Sequence, residues 1–122
     1  MQYISASENY IYDDSIGLGM KDLQLQVRNF VHEHELNTDP EWRALDIVSE
    51  MGEVAKEILK TTDYGKKEPK YRKEIELEIG DVLFSIMCLA NSYEIDIEKA
   101  LDKSMKKYMH RIVNKGKLES GF

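Results

Sequence analysis

Residues 78–93, EIGDVLFSIMCLANSY, are the stretch that decides the fold. From Ile79 onward the segment is apolar on nearly every face at helical spacing, which predicts a central, largely buried helix in an all-α protein. Glu78 and Asp81 stand at its polar edge, three residues apart and so on one helical face. Asp81 runs directly into Val82-Leu83-Phe84, and a carboxylate beside a buried segment needs a partner because burying a bare charge is expensive. A second pair with the same spacing, Glu50 and Glu53, lies upstream in another helix-like segment. If the two helices pack together, four acidic groups converge. Two like charges about 4 Å apart repel by roughly 4 kcal/mol at an effective dielectric near 20. Carboxylates gathered in this way either share protons or hold a hard cation such as Mg²⁺.

The flanking sequence supplies three more helices. Asp39 suits an N-cap, Pro40 the first helical position and Glu41 the positive helix end, so a second helix is expected from Pro40 to about Lys60. On a helical wheel Leu45, Val48, Gly52, Ala55 and Leu59 share one side, the expected buried face. Asp46, Glu50, Glu53 and Glu57 form a stripe nearly opposite, with Trp42 at its N-terminal end. By itself that stripe reads either as a solvated face or as a site. Glu74, Glu78, Asp81 and Ser85 align similarly on the third helix, which Pro69 is expected to open. Leu23, Val27, Phe30 and Val31 mark a first helix over residues 20–35. Asp96 can cap a fourth, from Ile97 to about Val113, with Leu101, Met105, Tyr108 and Ile112 facing inward. The reading is an N-terminal tail or arm over residues 1–19, one helical domain over 20–113, and a C-terminal tail over 114–122 expected to fray.

At 122 residues the chain fits one domain able to bury a core, and 42% hydrophobic with 33% charged residues is ordinary for a soluble globular protein. A net charge of −6 argues against binding duplex nucleic acid through its phosphates. It leaves room for one small phosphorylated ligand, since a bound metal and a local basic patch reverse the field. The single cysteine, Cys88, lies in an apolar run and reads as a buried, inert thiol. With no signal-peptide pattern and no apolar run of membrane-spanning length, a cytoplasmic protein is the expectation.

The fourth helix carries the opposite sign. Lys103, Lys107 and Arg111 recur every four residues as a cationic ridge. The ridge reads either as a surface pairing with acids on neighbouring helices or as a phosphate clamp, with Arg able to engage phosphate oxygens bidentately.

Taken together these segments resemble a known family. Ser49-Glu50-Met51-Gly52-Glu53-Val54-Ala55 and Glu78-Ile79-Gly80-Asp81-Val82-Leu83 are similar to the signature of the MazG-like all-α nucleoside triphosphate pyrophosphohydrolases, a Glu-Glu-x-x-Glu element followed by Glu-x-x-Asp. Leu89-Ala90-Asn91 and Ile95-Asp96-Ile97-Glu98-Lys99-Ala100 look like the junction into the family's last helix. Lys107-Tyr108-x-x-Arg111 resembles its terminal basic motif. The likeness covers residues 20–113 and implies a four-helix bundle in which Glu50, Glu53, Glu78 and Asp81 hold Mg²⁺, with Mn²⁺ as a substitute. It also implies hydrolysis of a nucleoside triphosphate to the monophosphate and pyrophosphate, with Lys103, Lys107, Tyr108 and Arg111 on the phosphates. Trp42, on the acidic stripe, reads either as a packing anchor or as a stack for the base; His32 and His34 lie where relatives place base-contacting residues and read otherwise as surface histidines, and His110 sits among the cations.

One departure stands out. The family pattern opens with two adjacent glutamates, and the first is Ser49 here, which cannot act as a base near neutral pH. Glu57, on the same stripe, is a weak substitute, and pairing of an exposed Glu57 with a lysine is the plainer reading. The general base is therefore unassigned. The resemblance also implies a homodimer or homotetramer, and since four helices of this size leave little room for a closed pocket, a site that borrows residues from a neighbour is expected. Two alternatives stand beside the enzyme: phosphoribosyl-ATP pyrophosphohydrolase, and a non-catalytic nucleotide-binding regulatory module. A di-iron or di-manganese carboxylate bundle is excluded, because it needs Glu-x-x-His pairs and none precedes His32, His34 or His110.

Overall fold

The computed structural model describes residues 19–115. It contains four helices, α1 (Met20–Glu33), α2 (Pro40–Thr61), α3 (Lys73–Ser92) and α4 (Ile97–Lys115), with no strand among the described residues. The all-α expectation holds, and α4 continues through Asn114 and Lys115, where the tail was expected to begin. Residues 1–18 of the expected 1–19 arm and residues 116–122 of the expected 114–122 tail lie outside the described residues.

Pro40 opens α2 at the position its fixed φ favours, with Asp39 extended in front of it. Asp39 makes no side-chain cap, however; its own backbone N–H donates to Asn37 Oδ1 at 2.8 Å. The end of α2 is set by three successive left-handed residues, Asp63, Tyr64 and Gly65 (φ 48°, 56° and 88°). That geometry suits Gly65 and is uncommon for the other two. The Thr62 hydroxyl oxygen accepts the Gly65 N–H at 3.1 Å and closes the turn. The third helix begins at Lys73 rather than at Pro69. Arg72 before it is extended, and its guanidinium reaches both Glu57 of α2 and Glu74, so the chain meets α2 before it coils.

Asp96 caps α4 as expected, accepting the Lys99 N–H on Oδ1 at 3.1 Å. A second device fixes that junction. Buried Gln24 of α1 donates through Nε2 to Asn91 Oδ1 at 2.9 Å and to the Ile95 carbonyl, and accepts the Ile97 N–H at 3.0 Å. Asn91 Nδ2 in turn donates to the Gln24 carbonyl at 3.1 Å. Each polar group is thereby satisfied inside the fold, and α1 is tied to the α3–α4 corner.

The principal packing is α2 along α3, then α1 on α3 and α4 on α1. The buried apolar core is small, comprising Val31, Met87, Cys88 and Ala90 among the described residues. The buried face expected on α2 is corrected by the structure: Leu45 is 66% and Val48 70% exposed, and Gly52, Ala55 and Leu59 also face outward. The side turned toward α3 instead carries Arg43, Asp46, Ile47, Glu50, Val54 and Glu57. The wheel separates the two stripes correctly, but each needs cover and α3 can cover one. The face that α3 offers includes Glu78 and Ser85, so it takes the acidic stripe. The inward assignment of Leu101, Met105, Tyr108 and Ile112 is corrected as well. These side chains are exposed, because α4 has α1 rather than α2 and α3 as its main packing partner. On α3, Ser85, Met87, Cys88 and Ala90 are buried as predicted for a central helix, whereas Ile79, Leu83 and Ile86 are exposed.

Candidate metal centre

Asp46 of α2 meets Ser85 of α3, and Glu57 of α2 meets Arg72 just before α3, so the two helices run antiparallel. Between those contacts Glu50 faces Glu78 and Asp81, with carboxylate oxygens from all three within 4.8 Å of one another. Glu50 and Glu78 are half-buried and Asp81 is exposed. Glu53, one turn beyond Glu50, is exposed and outside that tight group, although its charge bears on both Glu50 and Glu78.

The electrostatics match the geometry. Partial burial holds the Glu50 carboxyl above its ordinary value, reinforced by the charges of Asp81, Asp46, Glu78 and Glu53. Glu78 is raised by the same causes, desolvation first and then Asp81, Glu53 and Glu57, with Lys56 opposing. The donors are all carboxylate oxygens with no nitrogen or sulfur, which fits a hard cation rather than a soft one.

The raised values have a signed consequence. A carboxyl whose folded-state pKa lies above its unfolded value stabilises the fold most below the unfolded value. It withdraws that stability as pH rises through the folded one. Glu50→Gln should therefore melt higher than the wild type in EDTA at neutral pH, and the advantage should shrink as pH falls toward the ordinary value of 4.5. Thermal melts at the two pH values check this; a pH-independent difference contradicts it.

The other expected site residues fall as follows. Glu57 pairs with Lys60 at 3.3 Å, the expected lysine partner, but it is buried at 7% exposure rather than exposed. Its Oε2 meets Arg72 Nη1 at 3.5 Å without hydrogen-bond geometry. Ser49 is exposed. Lys103 and Lys107 are exposed and Arg111 half-buried on α4, with Lys107 Nζ 5.0 Å from the centre of the Tyr108 ring. Within one chain α4 packs mainly on α1 rather than along α2 and α3. Trp42 is exposed, the His34 ring lies tilted against Phe30 at 4.6 Å between centroids, and Phe30 meets Phe84 edge-on at 5.9 Å. His32 lines a groove of about 750 Å³ with Val31, Leu36, Cys88 and Ser92. Cys88 is buried as expected, and burial pushes its thiol pKa up, with Arg43 opposing. The Ser85–Asp46 contact was not anticipated; its one signal was the alignment of Ser85 with Asp81 on α3.

The sequence model of the MazG nucleotide pyrophosphohydrolase domain matches residues 39–114, which include every residue of the acidic group. The chain belongs to the MazG family. It is 38% identical over 96 residues to the YpjD protein of Bacillus subtilis (strain 168), covering 75% of this chain and 85% of that protein. The crystal structure of the Bacillus-conserved MazG protein, a nucleotide pyrophosphohydrolase, superposes with a TM-score of 0.64 at 35% identity over 76% of this chain and 92% of the other. The crystal structure of Bacillus subtilis YpjD gives 0.62 at 35% identity, over 81% and 96% of the two chains. This MazG chain is thus a member of a hydrolase family acting on nucleotides, and such proteins are typically metal-dependent. No helix among its described residues is long and apolar enough to cross a membrane.

Proposed function

We propose that this MazG protein is a Mg²⁺-dependent pyrophosphohydrolase that converts a (deoxy)nucleoside triphosphate to the monophosphate and pyrophosphate, serving nucleotide-pool housekeeping in the cytoplasm. The observation that carries the reading is the oxygen-only meeting of Glu50, Glu78 and Asp81 across the α2–α3 seam in a chain of this family. Glu53, at the edge of the group, completes the set that holds the cation, and Mn²⁺ can substitute. When bound, the cation supplies charge neutralisation for the phosphates and lowers the pKa of a coordinated water.

The remaining work falls to the protein. Lys103, Lys107, Tyr108 and Arg111 hold the triphosphate and offset its charge, and in phosphoryl chemistry such positioning and electrostatics dominate. They act from a second copy, a reading supported by the packing of α4 on α1 within one chain. Trp42 and His34 contact the base. Glu57, tied to Lys60 and Arg72, is a poor candidate for a general base, and none is assigned. The outward apolar stripe of α2 and the exposed Leu101, Met105 and Ile112 of α4 support a homodimer or homotetramer, since contiguous exposed apolar surface marks an interface.

A panel of NTPs and dNTPs with Mg²⁺ tests the reading. Turnover of at least one of them, abolished by EDTA and restored by Mg²⁺, is expected. Tight nucleotide binding with no turnover across the panel would replace the enzyme with a regulatory module. Turnover of phosphoribosyl-ATP in preference to every triphosphate would move the assignment to that neighbouring activity.

A further inference from the structure

Two polar contacts tie α2 to α3, and they bracket the carboxylate group. At one end Ser85, only 1% exposed, donates its hydroxyl to Asp46 Oδ2 at 2.7 Å. The same oxygen meets Arg43 Nη1 at 3.5 Å. Arg43 is itself fixed, donating from Nε to the Asn37 carbonyl at 2.8 Å and lying 5.8 Å from the centre of the Phe84 ring. At the other end Glu57 meets Arg72.

The register follows from the spacing. Asp46 is one turn before Glu50 on α2, and Ser85 one turn after Asp81 on α3. With α2 and α3 antiparallel, pairing Ser85 with Asp46 sets Glu50 against Asp81. Sliding α2 by one turn, about 5.4 Å, would part those carboxylates. A slide that brings Trp42 opposite Ser85 would also leave a buried hydroxyl without its acceptor, which is costly, and a slide the other way would draw Glu50 from Asp81 to that hydroxyl. Mutual repulsion of the acids pushes the helices apart when no cation is bound; a buried hydrogen bond one turn away opposes it.

We infer that Ser85 and Asp46 are positioning residues, a register lock that holds Glu50 and Asp81 at cation-binding distance before the cation arrives. The inference rests on the reading of the carboxylate group as a cation site, and it concerns cation affinity rather than turnover. Groups that fix metal ligands from behind typically change affinity by about 10–100-fold when removed.

Calorimetric titration with Mn²⁺ on the full chain tests it, using Ser85→Ala, Asp46→Ala and Asp46→Asn, with helicity checked for each. Ser85→Ala and Asp46→Ala should weaken Mn²⁺ binding by about 10-fold or more. Asp46→Asn, whose amide oxygen still accepts the Ser85 proton, should stay within about 3-fold of wild type. If folded Ser85→Ala binds Mn²⁺ like the wild type, with only its melting temperature lowered, the contact is structural and the lock is overturned. Should Ser85→Ala fail to fold, equal affinities for Asp46→Ala and Asp46→Asn overturn it in its place. A wild type that binds Mn²⁺, shows the expected variant pattern and hydrolyses no triphosphate leaves the lock standing and removes the proposed function. A wild type with no Mn²⁺ binding overturns both.

Discussion

Asp81→Ala is expected to lower Mg²⁺-dependent turnover by about 1,000-fold or more while leaving the helices folded. Asp81 is the member of the group whose charge bears on both others, raising the pKa of Glu50 and of Glu78. Removing it takes away a proposed cation ligand and relieves repulsion in the same step. The two effects have opposite signs on different observables: activity collapses, and the melting temperature of the metal-free protein rises or holds. Because Asp81 is exposed, its truncation leaves no buried cavity and no orphaned partner to unfold the chain. Steady-state assays and thermal melts in EDTA read the two arms. Near-normal activity in that variant would remove Asp81, and with it the proposed ligand set, from the chemistry.

If the chain assembles as proposed, the double substitution Leu45→Glu with Val48→Glu should convert the proposed oligomer to a monomer and abolish activity. Both side chains stand out from the α2 stripe that α3 leaves uncovered, and neither supports the small core of the single chain. Truncation of anchors central to an interface costs on the order of 2 kcal/mol or more each, about 30-fold in dissociation constant, and charges there cost further. In the proposed shared site, activity is lost with assembly because Lys107 and Arg111 would no longer reach the acids of the neighbouring chain. Sedimentation reads the assembly. Mixing Asp81→Ala chains with Lys107→Ala/Arg111→Ala chains reads the sharing, because recombined oligomers contain one intact composite site and regain part of the activity. An active monomer, or mixtures with no recovery, contradicts the shared site.

These consequences also mark what the sequence made legible. The existence of four helices, the Pro40 start and the Asp96 cap each depend on neighbours within a few residues, and these stand as local chemistry dictates. The acid pairs were legible for the same reason, since a three-residue spacing fixes a face whatever the tertiary context. Which stripe of α2 meets α3 was not. A wheel separates apolar from acidic residues but does not say which neighbour covers each. Within the single chain the acidic stripe is the one that α3 covers, and the apolar stripe is left outward. The α3 start was displaced because Arg72 is drawn to Glu57, a contact 15 residues apart that no local pattern announces. Gln24 and Ser85 were hidden for a related reason: each is a polar residue inside a helix whose partner lies on a distant segment. Glu53 shows the limit on the site itself, because sharing a face with Glu50 did not bring it into the same tight group.

The most direct measurement is the identity of the products formed by this MazG chain with Mg²⁺ and its best triphosphate, followed by ³¹P NMR. Cleavage between the α and β phosphates gives the nucleoside monophosphate and pyrophosphate as the only new species, and that is the predicted spectrum. Appearance of the nucleoside diphosphate with inorganic phosphate would contradict the account.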